Sequence, residues 1–167
     1  PDRLMGQHLK THLQGKKTVY LHEADCEVHA AFSTSSIQRQ RREADKRGIE
    51  LRVLAHPECD ADVLAASDFV GSSERILIEA KRIASEEEAA VMMITECGTA
   101  ERAMAESEKP IELMGACSMC RHMKRTHLED ILQAIESPRG DQIVEIGEDV
   151  IGRARDCLNQ MFELAES

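Results

Sequence analysis

Two cysteines three residues apart stand out in CSMCRHMKR, the stretch from Cys117 to Arg125. Thiols at this spacing occur in redox dithiols, in halves of zinc sites and in iron–sulfur proteins. A zinc site would need two further ligands, and the chain has no second C-x-x-C and no spacing typical of a zinc finger. The pair by itself therefore leaves all three chemistries open.

Other cysteines stand next to polar residues after short apolar runs. Cys26 lies in DCEVHAAF, HPEC covers residues 56–59, and ITEC covers residues 94–97. Thiolates suit soft metals and iron–sulfur clusters, although a single Cys is more often a small buried apolar side chain. Cys157 falls in a helical segment beside Leu158, so we assign it to the core.

HPEC combines an imidazole and a carboxylate around a proline. Pro57 restricts the backbone and favours an extended conformation at His56. His56 and Glu58 are therefore candidates for proton transfer, or for binding an iminium or carboxylate group. The alternative interpretation is a turn with exposed polar residues.

GSSE, residues 71–74, places a glycine before two hydroxyl side chains at the start of a predicted helix. Free backbone N–H groups and the hydroxyls of Ser72 and Ser73 would form a small cradle for phosphate or carboxylate. The alternative is an ordinary helix N-cap.

Alternating strand and helix patterns must position these groups. The alternation is typical of an α/β sandwich with mainly parallel strands that are covered on both faces. Ligands bind beyond the carboxyl ends of such strands. The four polar stretches that follow predicted strands can therefore converge at one edge: DCEVHAAF, HPEC, GSSE and ITEC. Apolar runs predict strands at 17–21, 50–56, 68–70, 89–95, 110–114 and 141–146. Periodicity predicts helices at 3–13, 30–47, 60–66, 72–84, 98–107, 127–137 and 148–166.

Composition narrows the class of protein. The 167 residues carry a net charge of −10, which argues against nucleic acid or an anionic membrane as the main partner. A small anionic substrate needs only a local pocket and is not excluded. The chain has no apolar run of membrane-spanning length and no secretory signal, so we expect a cytoplasmic protein. Because the chain begins with Pro1 and not with Met, we predict a fragment or a processed piece.

Taken in order, the motifs resemble quinolinate synthase, the iron–sulfur enzyme of NAD biosynthesis. The resemblance covers essentially the whole chain and is carried by PDRLMGQHL, CEVHAAF, HPEC with DFVGSS, ITECGTAERA, CSMCRHMKR and HLEDILQAI. It implies three similar three-layer α/β/α sandwich domains with short, mainly parallel sheets, arranged in a pseudo-symmetric fold. A [4Fe–4S] cluster at their junction would be bound by one Cys from each domain, and its open fourth iron would act as a Lewis acid.

This chain is similar to the later part of the family sequence. Residues 1–47 would end the second domain, 48–137 would form the third, and 138–167 would add a C-terminal strand and a closing helix. The implied reaction joins iminoaspartate to dihydroxyacetone phosphate and gives quinolinate, phosphate and water. The resemblance also implies a functional link to L-aspartate oxidase or aspartate dehydrogenase, with no nucleic-acid or membrane partner.

The resemblance implies a role for individual cysteines. Cys26, in C-x-V-H, matches the second cluster ligand, and Cys120 matches the third. Cys117 matches an extra Cys of some members, and we expect a reversible disulfide between Cys117 and Cys120 when the cluster is absent. The first ligand of the family lies upstream of Pro1, so the isolated chain is predicted to be inactive.

The remaining site residues also follow from the resemblance. His56, Pro57 and Glu58 match the substrate-contacting HPE, with His56 and Glu58 as catalytic candidates. Ser72 and Ser73 match hydroxyls that hold a substrate carboxylate or phosphate. The Thr-Glu pair at residues 95–96 matches a motif that shapes the site.

Two departures from the family pattern stand beside the proposed ligands. LHEAD, residues 21–25, replaces a Trp and a Gly, and Arg121 replaces a common Pro. We expect the charge of Arg121 to attract an anionic substrate. The alternatives to an active family member are an inactive remnant and a C-x-x-C zinc or redox module.

Overall fold

The computed structural model of the protein describes residues 2–115 and 117–166. They form two compact units, the first up to Arg121 and the second from His122 onward. The first unit combines a small sheet with six helices among its described residues. Its strands are β1 (Glu50–Ala55), β2 (Phe69–Val70) and β3 (Ala89–Ile94). Its helices are α1 (Arg3–Leu13), α2 (Glu27–Ala30), α3 (Thr34–Arg47), α4 (Ala61–Ala65), α5 (Ser73–Glu86) and α6 (Cys97–Glu106).

The sheet has the order β2–β1–β3, and all of its strands are parallel. β1 pairs with β3 over its full length. Two isolated parallel bridges, Val91–Leu113 and Glu96–Ser118, place the following chain segment beside β3. The carboxyl ends of these segments therefore meet at one edge of the sheet, as the sequence predicts.

Helices cover both faces of the sheet, because β3 presents apolar side chains alternately to each side, while β1 adds Leu51, Val53 and Ala55 to one core and Leu54 to the other. Helices α3 and α4 pack on one face, with a core of Ile37, Ala44, Leu51, Val53, Ala55, Cys59, Val63, Ala90, Met92, Ile94 and Met114. Helices α5 and α6 pack on the other, with a core of Leu54, Ile76, Leu77, Ala80, Ile83, Val91, Met93, Ala100, Ala103 and Ile111. This arrangement confirms the predicted α/β sandwich.

Three predicted strands are wrong in whole or in part. Residues 17–21 form no strand, and the Tyr20 side chain is 92% exposed. Residues 141–146 begin within a 3₁₀ turn at Gly140–Gln142 and join no ladder, and 110–114 contributes one bridge. Apolar and β-branched residues favour a strand only where a neighbouring strand completes the backbone hydrogen bonds. These three runs have little or no pairing with a neighbouring strand.

The second unit contains α7 (Leu128–Glu136) and α8 (Glu148–Glu166), with 3₁₀ turns at Met123–Arg125 and Gly140–Gln142. No side chain of residues 122–165 is buried. Cys157 in α8 is exposed, so its assignment to the core is wrong. The amphipathic pattern correctly predicts both helices, but a pattern alone does not show what packs on the apolar face. Among the described residues, no helix has both the length and the apolar character needed to cross a bilayer.

Candidate active site at the carboxyl edge of the sheet

The HPEC turn begins where β1 ends. The His56 backbone N–H donates to the Ile94 carbonyl at 3.1 Å, which extends the pairing of β1 with β3 by one residue. The Cys59 N–H then donates to the His56 carbonyl at 3.0 Å and closes the turn around Pro57. His56 is buried, whereas Pro57 and Glu58 are half-buried and face the edge. The sheet therefore fixes the base of this motif.

A second imidazole, which the sequence analysis did not select, lies against His56. His29 belongs to the short helix α2, which the buried side chain of Val28 anchors in the fold. The His29 and His56 rings stack with their centroids 4.3 Å apart. Both rings are buried, with 8% and 9% of their residue surface exposed. The edge of the sheet thus holds a histidine pair drawn from two different elements.

Glu58 and Thr95 complete a hydrogen-bonded chain through His29. The His29 Nδ1 lies 2.9 Å from the Glu58 Oε2, and the His29 Nε2 lies 3.1 Å from the Thr95 Oγ1. A carboxylate only accepts hydrogen bonds, so the His29 Nδ1–H donates to Glu58 and the Thr95 hydroxyl donates to Nε2. The Glu58 Oε2 also lies 3.7 Å from the His56 Nδ1. The hydrogen bond from His29 therefore fixes the orientation of the Glu58 carboxylate beside the His56 ring.

Burial sets the protonation of both rings. Burial lowers the pKa of His56 to about 4, and the neighbouring His29 ring adds to this shift. Burial also lowers the pKa of His29, although the Glu58 carboxylate acts in the opposite direction. Both imidazoles are therefore neutral near pH 7. Neutral rings can accept a hydrogen bond on one nitrogen and donate one from the other.

Glu96 connects the end of β3 to the loop of the C-x-x-C motif. Its side chain is buried, its Oε2 accepts from the Gly98 N–H at 2.6 Å, and its Oε1 accepts from the Cys120 N–H at 3.2 Å. The first bond caps α6, and the second positions the backbone of Cys120. Thr95 and Glu96 thus contact different neighbours, and their role in shaping a site stays a prediction.

Cys26 and Cys120 are both free, half-buried thiols at this edge. The prediction that Cys26 follows a strand is wrong. Cys26 directly precedes α2, and its N–H donates to the Asp2 Oδ2 at 2.9 Å. The residues that follow the two cysteines are paired: the Arg121 guanidinium donates to both oxygens of Glu27, at 3.0 Å and 2.9 Å. The two cysteine-bearing loops are therefore tied to each other.

The pairing of Arg121 bears on its expected role. Both partners are exposed, and the Glu27 carboxylate compensates the positive charge that was expected to attract an anionic substrate. The observed contact joins two loops. Attraction of a substrate by Arg121 stays a prediction.

Two other cysteines form a disulfide. Cys97 and Cys117 are bonded, with their Cα atoms 5.0 Å apart. The expected Cys117–Cys120 disulfide is therefore not formed. The reason is the parallel bridge between Glu96 and Ser118, which brings the residues next to them together. This pairing leaves the Cys120 thiol available.

Cys59 differs from the thiols at the edge. It is 1% exposed and packs in the core under α3 and α4. Burial raises the pKa of its thiol to about 12. A thiol that stays protonated makes a poor metal ligand. Cys59 is therefore a core residue.

The structure places GSSE beside the β1 edge without joining it to the histidines. The Gly71 N–H donates to the Ala55 carbonyl at 3.1 Å, and a Cβ on Gly71 would lie 2.7 Å from the Phe69 ring. The Ser72 hydroxyl accepts from the Arg75 N–H at 3.4 Å and caps α5, which is the alternative interpretation of this motif. Ser72 and Ser73 are exposed, and binding of a carboxylate or phosphate there stays a prediction.

Sequence reasoning missed His29 and Asp2. The signal for His29 was present, because C-x-V-H places an imidazole three residues after Cys26. The sequence signal for Asp2 is weaker. One oxygen of Asp2 caps α1 by accepting from the Met5 N–H at 2.8 Å, and the other oxygen accepts from the Cys26 N–H. A capping Asp near a chain end is common, so its second contact is visible only in the structure.

One group of side chains at the edge offers three different ligand atoms. Cys26, His29 and Glu58 each provide one, and all three lie within 4.8 Å of one another. The group brings together one predicted metal ligand, one predicted catalytic residue and the histidine that was missed. Cys120 lies outside this group.

Comparisons with known proteins confirm the family resemblance. The family model of the quinolinate synthetase A protein, NadA, matches residues 1–163. A quinolinate synthase of Caulobacter vibrioides is 38% identical over 139 residues, which is 83% of this chain and 35% of that protein. Quinolinate synthase 1 of Mesorhizobium japonicum is 34% identical over 162 residues, 97% of this chain and 46% of that protein.

A more distant relative shows the same coverage. A quinolinate synthase of Sinorhizobium medicae is 28% identical over 166 residues, which is 99% of this chain and 43% of that protein. The chain thus spans less than half the length of these curated relatives. Since the family model covers nearly all of its residues, the chain belongs to the quinolinate synthetase A protein family.

Proposed function

We propose that this chain provides part of a quinolinate synthase active site, in which Cys26 and Cys120 are two of the ligands of a [4Fe–4S] cluster. The complete protein would condense iminoaspartate with dihydroxyacetone phosphate to give quinolinate, phosphate and water, for NAD biosynthesis in the cytoplasm. Iminoaspartate would come from an enzyme such as L-aspartate oxidase or aspartate dehydrogenase. The support is the family membership together with the donor set at the sheet edge.

The donor set fits an iron–sulfur cluster. Clusters of this kind are held by cysteine thiolates. Both proposed ligands are free and half-buried, and each backbone N–H is fixed by a carboxylate, from Asp2 or Glu96. The family match over residues 1–163 is the observation that carries the proposal, and the exposed Arg121–Glu27 pair, whose members directly follow the two proposed ligands, adds support by joining their loops. A bound cluster would supply Lewis acidity, and its third cysteine ligand is proposed to lie outside these residues.

Glu58 is the residue best placed to move a proton. Its carboxylate is half-buried at the edge, and the His29 Nδ1–H fixes its orientation at 2.9 Å. General bases work best when their position is fixed before reaction. The chain from the Thr95 hydroxyl through His29 to Glu58 supplies this fixation. Glu58 is therefore proposed to take and return protons of the substrate, with His29 as a positioning residue.

His56 is proposed to bind substrate as a neutral ring. Its Nδ1 accepts from the Glu58 backbone N–H at 3.4 Å, so its proton is on Nε2. Because its lowered pKa keeps the ring neutral near pH 7, Nε2–H can donate to a carboxylate or phosphate oxygen. Pro57 holds the turn between the two side chains. Ser72 and Ser73, at the start of α5 beside the same strand, are proposed to add a hydroxyl contact.

The direct test is formation of quinolinate. The complete protein that carries these residues, reconstituted with iron and sulfide under anaerobic conditions, should produce quinolinate from iminoaspartate and dihydroxyacetone phosphate. The isolated 167 residues, treated in the same way, should produce none, because one cluster ligand and part of the substrate pocket are proposed to lie outside them. No product from the complete protein would overturn the proposed reaction. Comparable turnover by the isolated chain would overturn the three-domain site.

The structure gives less support to a C-x-x-C redox or zinc module. Such a module would use Cys117 and Cys120 as a pair, but Cys117 is bonded to Cys97. Colour and metal content separate the alternatives. In the complete protein reconstituted anaerobically, the proposed function requires iron with acid-labile sulfide, whereas a C-x-x-C module would contain zinc alone and would lose it in Cys120→Ser.

A further inference from the structure

We propose that Cys26, His29 and Glu58 form a mononuclear binding site for a divalent metal of the zinc class, which is filled when the protein holds no iron–sulfur cluster. The site uses one sulfur, one nitrogen and one oxygen from the group within 4.8 Å. It shares Cys26 with the proposed cluster, and only the competition between zinc and cluster rests on the proposed function. The metal site itself rests on the geometry of the three side chains.

The three ligand atoms are close to the separations that a zinc ion requires. Bond lengths of about 2.0–2.3 Å at tetrahedral angles place two ligand atoms roughly 3.3–3.8 Å apart. The His29 Nδ1 and the Glu58 Oε2 are 2.9 Å apart, and one ligand atom from each of the three residues lies within 4.8 Å of the other two. Cys26 and Glu58 are half-buried, so their side chains have more freedom to adjust than the buried His29.

The surroundings of His29 match those of a metal-binding histidine. Such a ring usually donates its second N–H to a fixed acceptor, which sets its tautomer and orientation. The His29 Nε2 lies 3.1 Å from the hydroxyl of Thr95, a residue only 2% exposed. This leaves Nδ1 for the metal, on the side where Glu58 lies. A metal would replace the Nδ1–H that now donates to Glu58, and the Thr95 hydroxyl would change from donor to acceptor.

The donor types select the class of metal. A thiolate with an imidazole suits zinc and similar transition metals, whereas magnesium and calcium prefer oxygen ligands alone. Three protein ligands leave a fourth position for water, as in open zinc sites. The partial exposure of Cys26 and Glu58 gives that position access to solvent.

Other thiols of the described chain do not complete a competing site in this structure. Cys59 lies in the core, and Cys97 is bonded to Cys117. Cys157 is an exposed thiol and is not part of the group. Cys120 is free but outside the group, so a substitution of Cys120 distinguishes the proposed cluster site from the mononuclear metal site. Loss of Cys120 should affect a cluster and spare a mononuclear metal.

Zinc and the proposed cluster would compete, because both need the Cys26 sulfur. A protein loaded with zinc should take up iron and sulfide poorly until a chelator removes the zinc. The site would therefore hold the edge together in the cluster-free protein and delay assembly of the cluster.

The test uses Co²⁺ as a coloured probe and Zn²⁺ as its competitor, on the purified cluster-free chain with the Cys97–Cys117 disulfide intact. Co²⁺ should give a thiolate-to-metal absorption band at a single equivalent, and Zn²⁺ should remove it. Cys26→Ser should abolish the band, and His29→Gln should weaken binding by more than about tenfold. Cys120→Ser is the matched control and should bind Co²⁺ like the unchanged chain.

Two further variants keep the result decisive if His29→Gln fails to fold, which circular dichroism would show. Glu58→Gln removes a ligand from a half-buried position, and Thr95→Val removes the acceptor of His29, so each should weaken Co²⁺ binding by about tenfold. Absence of a thiolate band in the unchanged chain would overturn the proposal. Equal loss in Cys120→Ser and Cys26→Ser, or unchanged binding in both Glu58→Gln and Thr95→Val, would also overturn it.

The same variants separate this inference from the proposed function. If Cys120→Ser binds Co²⁺ normally and the complete protein with that substitution cannot hold a cluster, both proposals stand. If that protein still assembles a full cluster, the cluster assignment fails while the metal site stands. If Co²⁺ does not bind but the cluster assembles through both cysteines, the metal site fails alone.

Discussion

The two compact units differ in what they bury. The first, up to Arg121, packs apolar cores on both faces of a sheet and also buries His29, His56, Thr95 and Glu96 at the carboxyl edge. Residues 122–165 of the second unit bury no side chain, although α7 and α8 carry clear apolar faces. Buried polar groups need partners, and each of these four has a hydrogen bond or a stacked ring. The contrast places the proposed chemistry in the first unit.

The largest expected effect concerns turnover. Glu58→Gln in the complete protein should keep the fold and the iron content but reduce quinolinate formation by about 10²–10⁴-fold, as expected for loss of a general acid–base group. The reason is that the amide cannot move protons, while it fills the same space beside His29. Glu136→Gln, an exposed change on α7, is the matched control in the second unit and should leave the rate unchanged.

Two results would contradict the prediction for Glu58. Near-normal turnover of Glu58→Gln would return Glu58 to an ordinary turn residue, and an equal loss in Glu136→Gln would remove the contrast between the units.

The next effect concerns stability. Ile76 on α5 is fully buried, so Ile76→Ala should lower the free energy of unfolding by about 2–5 kcal/mol. Ile135 on α7 is 76% exposed, so Ile135→Ala should change it by less than about 0.5 kcal/mol. Urea unfolding followed by circular dichroism measures both. If Ile76→Ala does not fold, Ile76→Val should still cost about 1 kcal/mol. Similar costs at both positions would contradict the difference in burial.

A smaller effect should appear in the dependence of stability on pH. The folded pKa of His56 is about 4, below its ordinary value of 6.5, so the unfolded chain binds more protons between these values. The contribution of the neutral ring to the free energy of unfolding is complete above pH 6.5 and is lost as the pH falls to about 4. The total is up to about 3 kcal/mol, from about 1.4 kcal/mol for each unit of pKa difference.

Urea unfolding from pH 7 to pH 4 tests the His56 effect. His56→Gln should flatten the loss of stability in this window, whereas His12→Gln, on the exposed side of α1, should not. An identical pH dependence in His56→Gln and the unchanged chain would show that His56 is not the group responsible.

Much of the first unit follows from local sequence patterns. β3 is a continuous apolar run and β1 is apolar apart from Glu50 and Arg52, and their parallel pairing directs HPEC and the Thr-Glu motif to the same edge. Helix α3 ends at Gly48 with φ of 66°, a conformation that favours glycine and marks the boundary in the sequence. These features need only neighbouring residues, so the sequence alone predicts them.

The remaining features depend on contacts between distant segments. The Cys97–Cys117 bond follows from the Glu96–Ser118 bridge, and the sequence does not show which short segment will pair with β3. The His29–Glu58 contact joins residues 29 positions apart, so no local pattern reveals it. Residues 17–21 look like a strand but find no partner strand. The predicted domain boundaries and the roles of the site residues stay predictions.

The central claim is that Cys26 and Cys120 hold the cluster. The most direct measurement is iron and acid-labile sulfide in the complete protein, made anaerobically as three single variants. Cys26→Ser and Cys120→Ser should each lose most of the iron and sulfide, while Cys157→Ser, an exposed thiol of the second unit, should keep both. Full iron and sulfide in both Cys26→Ser and Cys120→Ser would contradict the assignment of these residues as ligands.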